Sequence, residues 1–353
     1  MNTSEPAGPG RLTPALQSLL GGDSLSRVEA HAAMTAILAG DATSAQIAAL
    51  IVALRMKGET VDELVGMVEA MLAASTRVEI DTEGAVIDVV GTGGDLSHTI
   101  NVSTLSALVV AGGGAKVCKH GNRAASSACG AADLLDALGV AIDLGPAGVA
   151  ACVAEAGMGF CFAPRYHPAM RHAGPTRREL GVPTAFNILG PLSNPGRVRR
   201  YLIGVADVTM AERMAGVLLA NGAVRALIVH GGDGLDELTT TGPSSVVELR
   251  DGAVHTWSVD PTELGLAPAK REELVGGDAT LNATLARRVL AGESGPHRDI
   301  ILLNAGAAFM AAGLAAELGQ GIDLARRSID SGAAAGTLTA LVEVSQRERA
   351  AEG

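Results

Sequence analysis

Aromatic side chains are scarce in this chain: its 353 residues include one Trp, two Tyr and four Phe. A chain of this length buries a sizeable core. That core must therefore be made of Ala, Val, Leu and Gly, in a sequence with 45 glycines and 48% hydrophobic residues. Cysteine is sparse too. Cys118, Cys129, Cys152 and Cys161 have no paired metal-ligand spacing, which argues against a cysteine metal site or a disulfide framework and leaves four small buried hydrophobes. Positive charge is in deficit: 27 Lys and Arg stand against 38 Asp and Glu, a formal net charge of −11. That balance argues against nonspecific binding to nucleic acid or a membrane surface, so an anionic ligand must meet a local basic island. The longest stretches free of acid and base, Leu96–Ala115 and Ile300–Ala316, carry Asn, Gly or Ser and lack flanking basic clusters. They read as buried helices rather than membrane spans. The polar, acidic start Met1–Gly10 reads as a disordered tail and not a signal peptide, which suits a cytoplasmic protein.

The segment after the tail is helical. Ser26 with Glu29, Thr43 with Gln46 and Thr60 with Glu63 are capping boxes, and the runs between them stop at Gly22, Gly40 and Gly58. Apolar spacing such as Ile47, Leu50, Ile51, Leu54 marks one buried face per helix, giving a bundle of about four helices. From Ala85 the pattern changes to apolar strands at Ala85–Val90, Ala115–Cys118, Met158–Phe162, Tyr201–Val205 and Ala226–Val229. Helices fall near Leu134–Leu138 and Met210–Leu219. This alternation predicts a largely parallel, helix-covered sheet. Ser245–Leu249 and Ala253–Val259, joined by Asp251-Gly252, read as a hairpin with a type I′ turn.

Four loops carry the chemistry. Gly91-Thr-Gly-Gly-Asp95, followed by Thr99, Asn101, Ser103 and Thr104, leaves a strand and enters a helix, an arrangement that frees backbone N–H groups for a phosphate or pyrophosphate. Neither standard nucleotide motif is present: Leu96 occupies the third glycine position of a dinucleotide fingerprint, and no Gly-Lys-Ser/Thr follows for a Walker loop. Lys119-His-Gly-Asn-Arg123, with Ser126 and Ser127, is the first basic island and a second phosphate candidate. Arg165 through Gly181 holds Arg165, Arg171, Arg177 and Arg178; one of these arginines can grip a carboxylate in a bidentate fork, and the pattern alone does not choose which. Asp236-Glu237, beyond the glycine-rich His230–Gly234, suits Mg²⁺, which takes a few carboxylate oxygens together with substrate phosphates.

In order and spacing, these runs, together with His167-Pro-Ala-Met170 and Phe186–Pro195, resemble the anthranilate phosphoribosyltransferase family, and the similarity spans nearly everything after the tail. The resemblance implies transfer of the phosphoribosyl group of 5-phosphoribosyl 1-pyrophosphate to the amine of anthranilate, in tryptophan biosynthesis. It implies an α/β fold of nucleoside phosphorylase/phosphoribosyltransferase type. A small N-terminal helical domain (residues 11–80, joined by a helical excursion at about 167–192) would pack on a larger α/β domain (81–353), with the cleft between them, in a homodimer. Carried over by position, Gly91, Gly94, Asp95, Thr99, Asn101, Val102, Ser103, Thr104, Lys119, His120, Gly121, Asn122, Arg123, Ser126, Ser127 and Ala131 would bind phosphoribosyl pyrophosphate. Gly91, Asn122 and Arg177 would contact anthranilate, so the family pattern prefers Arg177 to Arg178. Ser103, Asp236 and Glu237 would hold Mg²⁺. Lys119 and Arg177 would be the catalytic pair, and His120, Pro164, His167 and Met170 would line the anthranilate path.

Three positions depart from the family pattern. Leu96 stands where glycine is frequent, Ile100 where phenylalanine is, and Ala131 where a serine commonly reaches the substrate, a lost hydroxyl worth about 1 kcal/mol. Two rival readings share the architecture. A nucleoside phosphorylase would carry a Lys-x-Ser loop in place of Lys119-His-Gly-Asn. A noncatalytic nucleic-acid-binding relative fits poorly with the acidic balance and with Asp236, Glu237 and Arg177.

Overall fold

Three side-chain hydroxyls start three successive helices. Ser26, Thr43 and Thr60 each accept the backbone N–H three residues on, and Glu29, Gln46 and Glu63 return the bond to the cap residue, which satisfies N–H groups that a helix start otherwise leaves open. The structure, a computed structural model, describes residues 10–80, 86–124 and 128–353. Most of the tail, Ala85, Ser126 and Ser127 lie outside the described residues.

The chain forms two compact units, Met1–Thr76 with Tyr166–Ser193, and Arg77–Arg165 with Asn194–Gly353. In the first, α1 (Thr13–Leu20), α2 (Arg27–Ala39), α3 (Ser44–Lys57) and α4 (Val61–Ala74) bury the apolar faces read from the sequence. Here α2 packs on α4 and α1 on α3. The buried Glu63 ties the bundle together: its carboxylate accepts from Leu25 N at 2.8 Å, Thr60 N at 2.8 Å and Lys57 Nζ at 2.9 Å.

In the second unit the order is β1 (Val86–Gly91), α5 (Val102–Gly112), β2 (Lys116–Gly121), α6 (Ala131–Ala137), α7 (Pro146–Ala156) and β3 (Met158–Phe162), followed by α8 (Ala163–Tyr166). The chain then returns to the helical unit for a short 3₁₀ turn, α9 (Gly174–Leu180) and α10 (Phe186–Leu189). There α9 packs on α3 and α10 on α4. It resumes with β4 (Arg200–Gly204), α11 (Ala211–Ala220), β5 (Arg225–Gly231), β6 (Ser244–Arg250), β7 (Ala253–Val259), α12 (Ala279–Leu290), α13 (Pro296–Ala312), α14 (Leu318–Asp330) and α15 (Ala333–Glu352).

Among the described residues, seven strands lie in the order β3-β2-β1-β4-β5-β6-β7. The first five are parallel, and β6 and β7 add an antiparallel hairpin. Asp251 and Gly252 both have positive φ, 53° and 75°, as a type I′ turn requires. The apolar run Ala115–Cys118 understates β2: the strand continues through Lys119 and His120 to Gly121. Both polar side chains are buried, so an apolar pattern could not show that they belong to the sheet. Only part of each uncharged stretch is helical: α5 begins at Val102, leaving residues 96–101 as an irregular loop with Leu96 and His98 exposed, and α13 ends at Ala312; among the described residues no helix is long and apolar enough to cross a membrane. All four cysteines are free and buried.

The covering helices meet closely where small residues allow it. A Cβ at Gly321 on α14 would stand 2.2 Å from the Gly306 carbonyl oxygen on α13. Gly321→Ala is therefore expected to destabilise the protein by about 1–3 kcal/mol, seen as a lower urea midpoint. Gly319→Ala, on the same helix with nothing within 4 Å, should leave the midpoint nearly unchanged.

Candidate active site

Parallel strands bring their carboxyl ends to one edge of the sheet. From β1 the chain proceeds to β2 and β3 on one side, and from β4 to β5 on the other, so the β1/β4 boundary is the topological switch point where ligands of such sheets bind. Both strands end in glycine there, Gly91 paired with Gly204. Their bare backbones admit the segment after β5. A Cβ at 204 would lie 1.6 Å from the Asp236 carbonyl oxygen, and one at 91 would lie 2.5 Å from Asp236 Oδ2.

Asp236 is thereby laid across the ends of β1 and β4. Its Oδ2 accepts the Gly93 N–H at 2.6 Å. The next residues are fixed from behind by Asn304 on α13, whose Oδ1 accepts Leu238 N at 2.9 Å and whose Nδ2 donates to Leu238 O at 2.8 Å. Glu237 faces the start of α5, where the nearby Ser103 backbone N–H favours its charged form. Burial, then the charge of Asp95, raises the Asp236 carboxyl above the usual range; burial, then Asp236, does the same for Glu237. Three carboxylates thus crowd a site poor in positive charge.

The nearby cation is Lys119. Its Nζ is buried, donating to the Val89 carbonyl oxygen and to Ser103 Oγ, the latter at 3.2 Å. Burial lowers its pKa, opposed by the charges of Asp88, Glu237 and Asp236. Asp88 lies wholly inside the sheet, accepting His120 N at 3.1 Å and Asn194 Nδ2 at 2.7 Å. Desolvation pushes its carboxyl up to about 6, against the pull of Lys119.

The glycine loop after β1 is longer than a tight strand-to-helix turn. Gly93, Gly94, Leu96 and His98 all have positive φ. The far end is tied by a short antiparallel bridge, Thr99 to Val275, with Ile100 N bonded to Leu274 O at 3.1 Å and Gly276 N to His98 O at 2.9 Å. Asp95 is engaged by Ser97 Oγ at 2.6 Å. Among the described residues the N–H groups of Gly94, Asp95 and Leu96 bond to nothing, which leaves three successive donors open to an anion. The side chains of Val102 and Thr104 are buried, so these two could meet a ligand only through backbone.

The second loop is organised by an acid that no sequence motif singles out. Asp133 accepts Ala124 N and Gly130 N, each at 2.9 Å, and pairs with Arg123 at 2.8 Å. Arg123 also pairs with Asp136 at 3.1 Å, so its guanidinium is already committed within the fold. Asn122 is exposed beside it, and Ala131 opens α6. Ser126 and Ser127 lie outside the described residues.

Arg177 belongs to the helical unit. Its Nη2 donates to the Phe186 carbonyl oxygen at 3.3 Å and its guanidinium carbon is 5.3 Å from the Phe186 ring centroid. Among the described residues it has no paired carboxylate. Arg178 is exposed, and Arg165 pairs with Asp143 and Glu352. His167 is buried with Nε2 3.0 Å from Ser193 O. Among the described residues no three His, Cys, Asp or Glu side chains form an all-protein metal cage. Two adjacent carboxylates and a hydroxyl nevertheless suit a hard cation that also binds substrate oxygens.

Residues 13–75 match the glycosyl transferase family, helical bundle domain, and residues 83–335 the glycosyl transferase family, a/b domain. An anthranilate phosphoribosyltransferase of Salinispora arenicola (strain CNS-205) is 53% identical over 341 residues, covering 95% of this chain and 96% of that protein. The crystal structure of the anthranilate phosphoribosyltransferase of Thermus thermophilus superposes with a TM-score of 0.89 at 44% identity, over 94% of this chain and 99% of that one. The enzyme of Saccharomyces cerevisiae in complex with PRPP and Mg superposes with a TM-score of 0.87 at 28% identity, over 97% and 100%.

The buried Asp88 makes a sign-specific pH prediction. Its carboxyl titrates at about 6 in the folded chain against 3.8 ordinarily, so between these values the unfolded chain holds fewer protons. Asp88 therefore withdraws stability as pH rises through this window. The stability difference between wild type and Asp88→Asn should shift toward the variant by up to about 3 kcal/mol from pH 4 to pH 7. Urea unfolding at several pH values measures it, and a pH-independent difference refutes it.

Proposed function

The chain belongs to the anthranilate phosphoribosyltransferases, pentosyltransferases that make N-(5-phosphoribosyl)anthranilate and pyrophosphate in tryptophan biosynthesis, and from that membership we propose how its residues divide the work. The loops at 91–104 and 119–131 bind phosphoribosyl pyrophosphate. Gly91, Asn122 and Arg177 receive anthranilate. The division into a helical domain at 11–80 with an excursion at 167–192, and an α/β domain at 81–353, belongs to the same reading.

The observation that carries the proposal is the meeting, at the sheet's switch point, of unsatisfied N–H donors, the buried Lys119 ammonium and an acidic pair. No strong base is needed. The aromatic amine of anthranilate is neutral at pH 7, and its lone pair attacks C1 of the ribose as the C1–O bond to pyrophosphate breaks; the nitrogen then loses a proton. Charge grows on the leaving group. The free N–H groups after Gly93 and the Lys119 ammonium are donors fixed in advance where that charge collects, a form of stabilisation that costs no reorganisation during the reaction. Arg177 orients the other substrate. Its guanidinium lies against the Phe186 ring and, among the described residues, has no paired carboxylate, which suits a fork held for an aromatic acid.

Ser103, Asp236 and Glu237 would hold Mg²⁺. When bound, the cation supplies charge neutralisation for the pyrophosphate oxygens. The fit rests on hard oxygen donors and on the mutual repulsion of Asp95, Asp236 and Glu237, which a cation relieves.

A homodimer and a cytoplasmic location go with this reading. Leu20, Val28 and Met56 of the helical unit are exposed apolar side chains available to a second copy, and sedimentation velocity would report a dimeric mass.

Mixing the protein with anthranilate, phosphoribosyl pyrophosphate and Mg²⁺ should extinguish anthranilate fluorescence, and omitting Mg²⁺ should abolish the change. Arg177→Ala is expected to raise KM for anthranilate by about 10- to 100-fold with little change for phosphoribosyl pyrophosphate. An unchanged value removes Arg177 from the assignment. Glu237→Gln should increase the Mg²⁺ concentration for half-maximal rate by about tenfold.

A further inference from the structure

Asn282 lies on α12, far in sequence from every motif that resembles the family. Its side chain is buried, and each of its polar atoms is engaged. Oδ1 accepts the Gly277 N–H at 2.7 Å, and Nδ2 donates to Asn101 Oδ1 at 2.9 Å, across 181 residues of sequence. Asn101 in turn donates through Nδ2 to the Cys129 carbonyl oxygen at 2.9 Å. Three segments are thereby joined by one relay: the end of the glycine loop, the second loop, and the approach to α12. The Gly277 end continues the segment that bridges Thr99 through Val275.

The relay has a direction. An amide offers an acceptor on one side and donors on the other. Because Asn282 donates to Asn101 Oδ1, the Asn101 acceptor is occupied and its NH₂ group faces the second loop. One of its hydrogens goes to Cys129 O, and among the described residues the second has no partner. An anion between the two loops meets an N–H there. If the Asn101 amide were reversed, the anion would meet a carbonyl oxygen, and an acceptor facing an anion is left without a donor and repels it. Asn101 makes no side-chain cap bond at the start of α5, so its orientation is set by its two partners, the Cys129 carbonyl on one side and Asn282 on the other.

We propose that Asn282 is a positioning residue for phosphoribosyl pyrophosphate, setting the orientation of the Asn101 amide so that a donor faces the substrate. The proposal rests on the assignment of the 91–104 loop to that substrate. It gives α12 a part in substrate binding although Asn282 acts only through Asn101.

Asn282→Asp tests the direction of the relay. The aspartate keeps an acceptor for Gly277 and replaces the donor to Asn101 with an oxygen, so the Asn101 amide meets acceptors on both sides and loses its fixed orientation. The expected result is a rise of about tenfold in KM for phosphoribosyl pyrophosphate, with kcat and KM for anthranilate changed less than about twofold. A general structural defect would lower the melting temperature and kcat without that selectivity. Asn282→Ala, which carries no charge, should give a rise of the same kind and serves if the aspartate variant does not fold. Asn101→Ala should also raise this KM, and adding Asn282→Asp to it should have less than about a further twofold effect, because the second residue acts through the first. A raised KM in Asn101→Ala with an unchanged one in both Asn282 variants overturns the inference alone. Multiplying effects in the double variant overturn it as well, since the introduced carboxylate would then be acting directly. An unchanged KM in Asn101→Ala overturns the loop assignment and the inference together.

Discussion

The close approach of the Asp236 backbone to Gly204 is the constraint on which the site depends. Asp236 and Glu237 arrive on a loop that follows β5, two strands away from β1 in the sheet order. They reach the β1/β4 boundary only because the loop can lie directly on the ends of both strands. A methyl group at position 204 would occupy the place of the Asp236 carbonyl oxygen, so any other residue there would push the acids outward into solvent. Asn304 completes the placement from the opposite side, bonding both the N–H and the carbonyl of Leu238 as a paired strand would. Parallel pairing supplies the common edge and the glycines supply the clearance.

Burial gives these acids their chemical character. In water Asp236 and Glu237 would be ordinary carboxylates, but here desolvation first, then the charge of Asp95 on Asp236 and of Asp236 on Glu237, holds both above their usual range. A desolvated charge costs free energy unless something opposite is nearby. Lys119 meets part of that need and is itself balanced by Asp88 on its other side. The sheet interior beneath the site is thus an alternation of charges, Asp88, Lys119, then the acid pair. Asp88 is in turn held by Asn194, whose Nδ2 also donates to the Cys118 carbonyl oxygen at 2.8 Å. A buried network bonded in this way is rigid, and rigidity is what prepositioned electrostatics requires.

Much of the architecture is written in local sequence. The capping boxes, the apolar strands and the Asp251-Gly252 turn are each decided within a few residues, and a signal of that range survives in a single chain. Lys119 and His120 read as loop residues in the sequence because a strand is recognised by its apolar members, while these two are polar side chains buried by tertiary contacts. The four glycine-rich or charged loops stand out by composition. Their supports do not. Asp88 lies inside an apolar run, Asp133 on a short helix, and Asn194, Asn282 and Asn304 at positions with no periodic or motif signal. Each of Asn194, Asn282 and Asn304 has a short-range partner as well, but the partners through which they hold the site lie 66 to 181 residues away. Gly204 is hidden for a different reason: what makes it necessary is the main chain of another segment, and sequence pattern carries no record of that.

The glycine loop shows how the same physics sets the cost of binding. Leu96 and His98 adopt positive φ, 55° and 54°, conformations that cost a residue with a Cβ roughly 1 kcal/mol or more each. Leu96 gains little in return from packing, since its side chain is 67% exposed. What holds the segment is the bridge to 274–276 at one end and the bond from Gly93 to Asp236 at the other. Glycine at 96 would relieve the strain, yet it would also widen the set of backbone conformations open to the loop before a ligand arrives. Each residue that must be ordered on binding subtracts about 1–2 kcal/mol from affinity. A leucine held in the left-handed region moves part of that cost from binding to folding, so the loop that carries the N–H groups of Gly94, Asp95 and Leu96 has fewer conformations to give up when an anion binds.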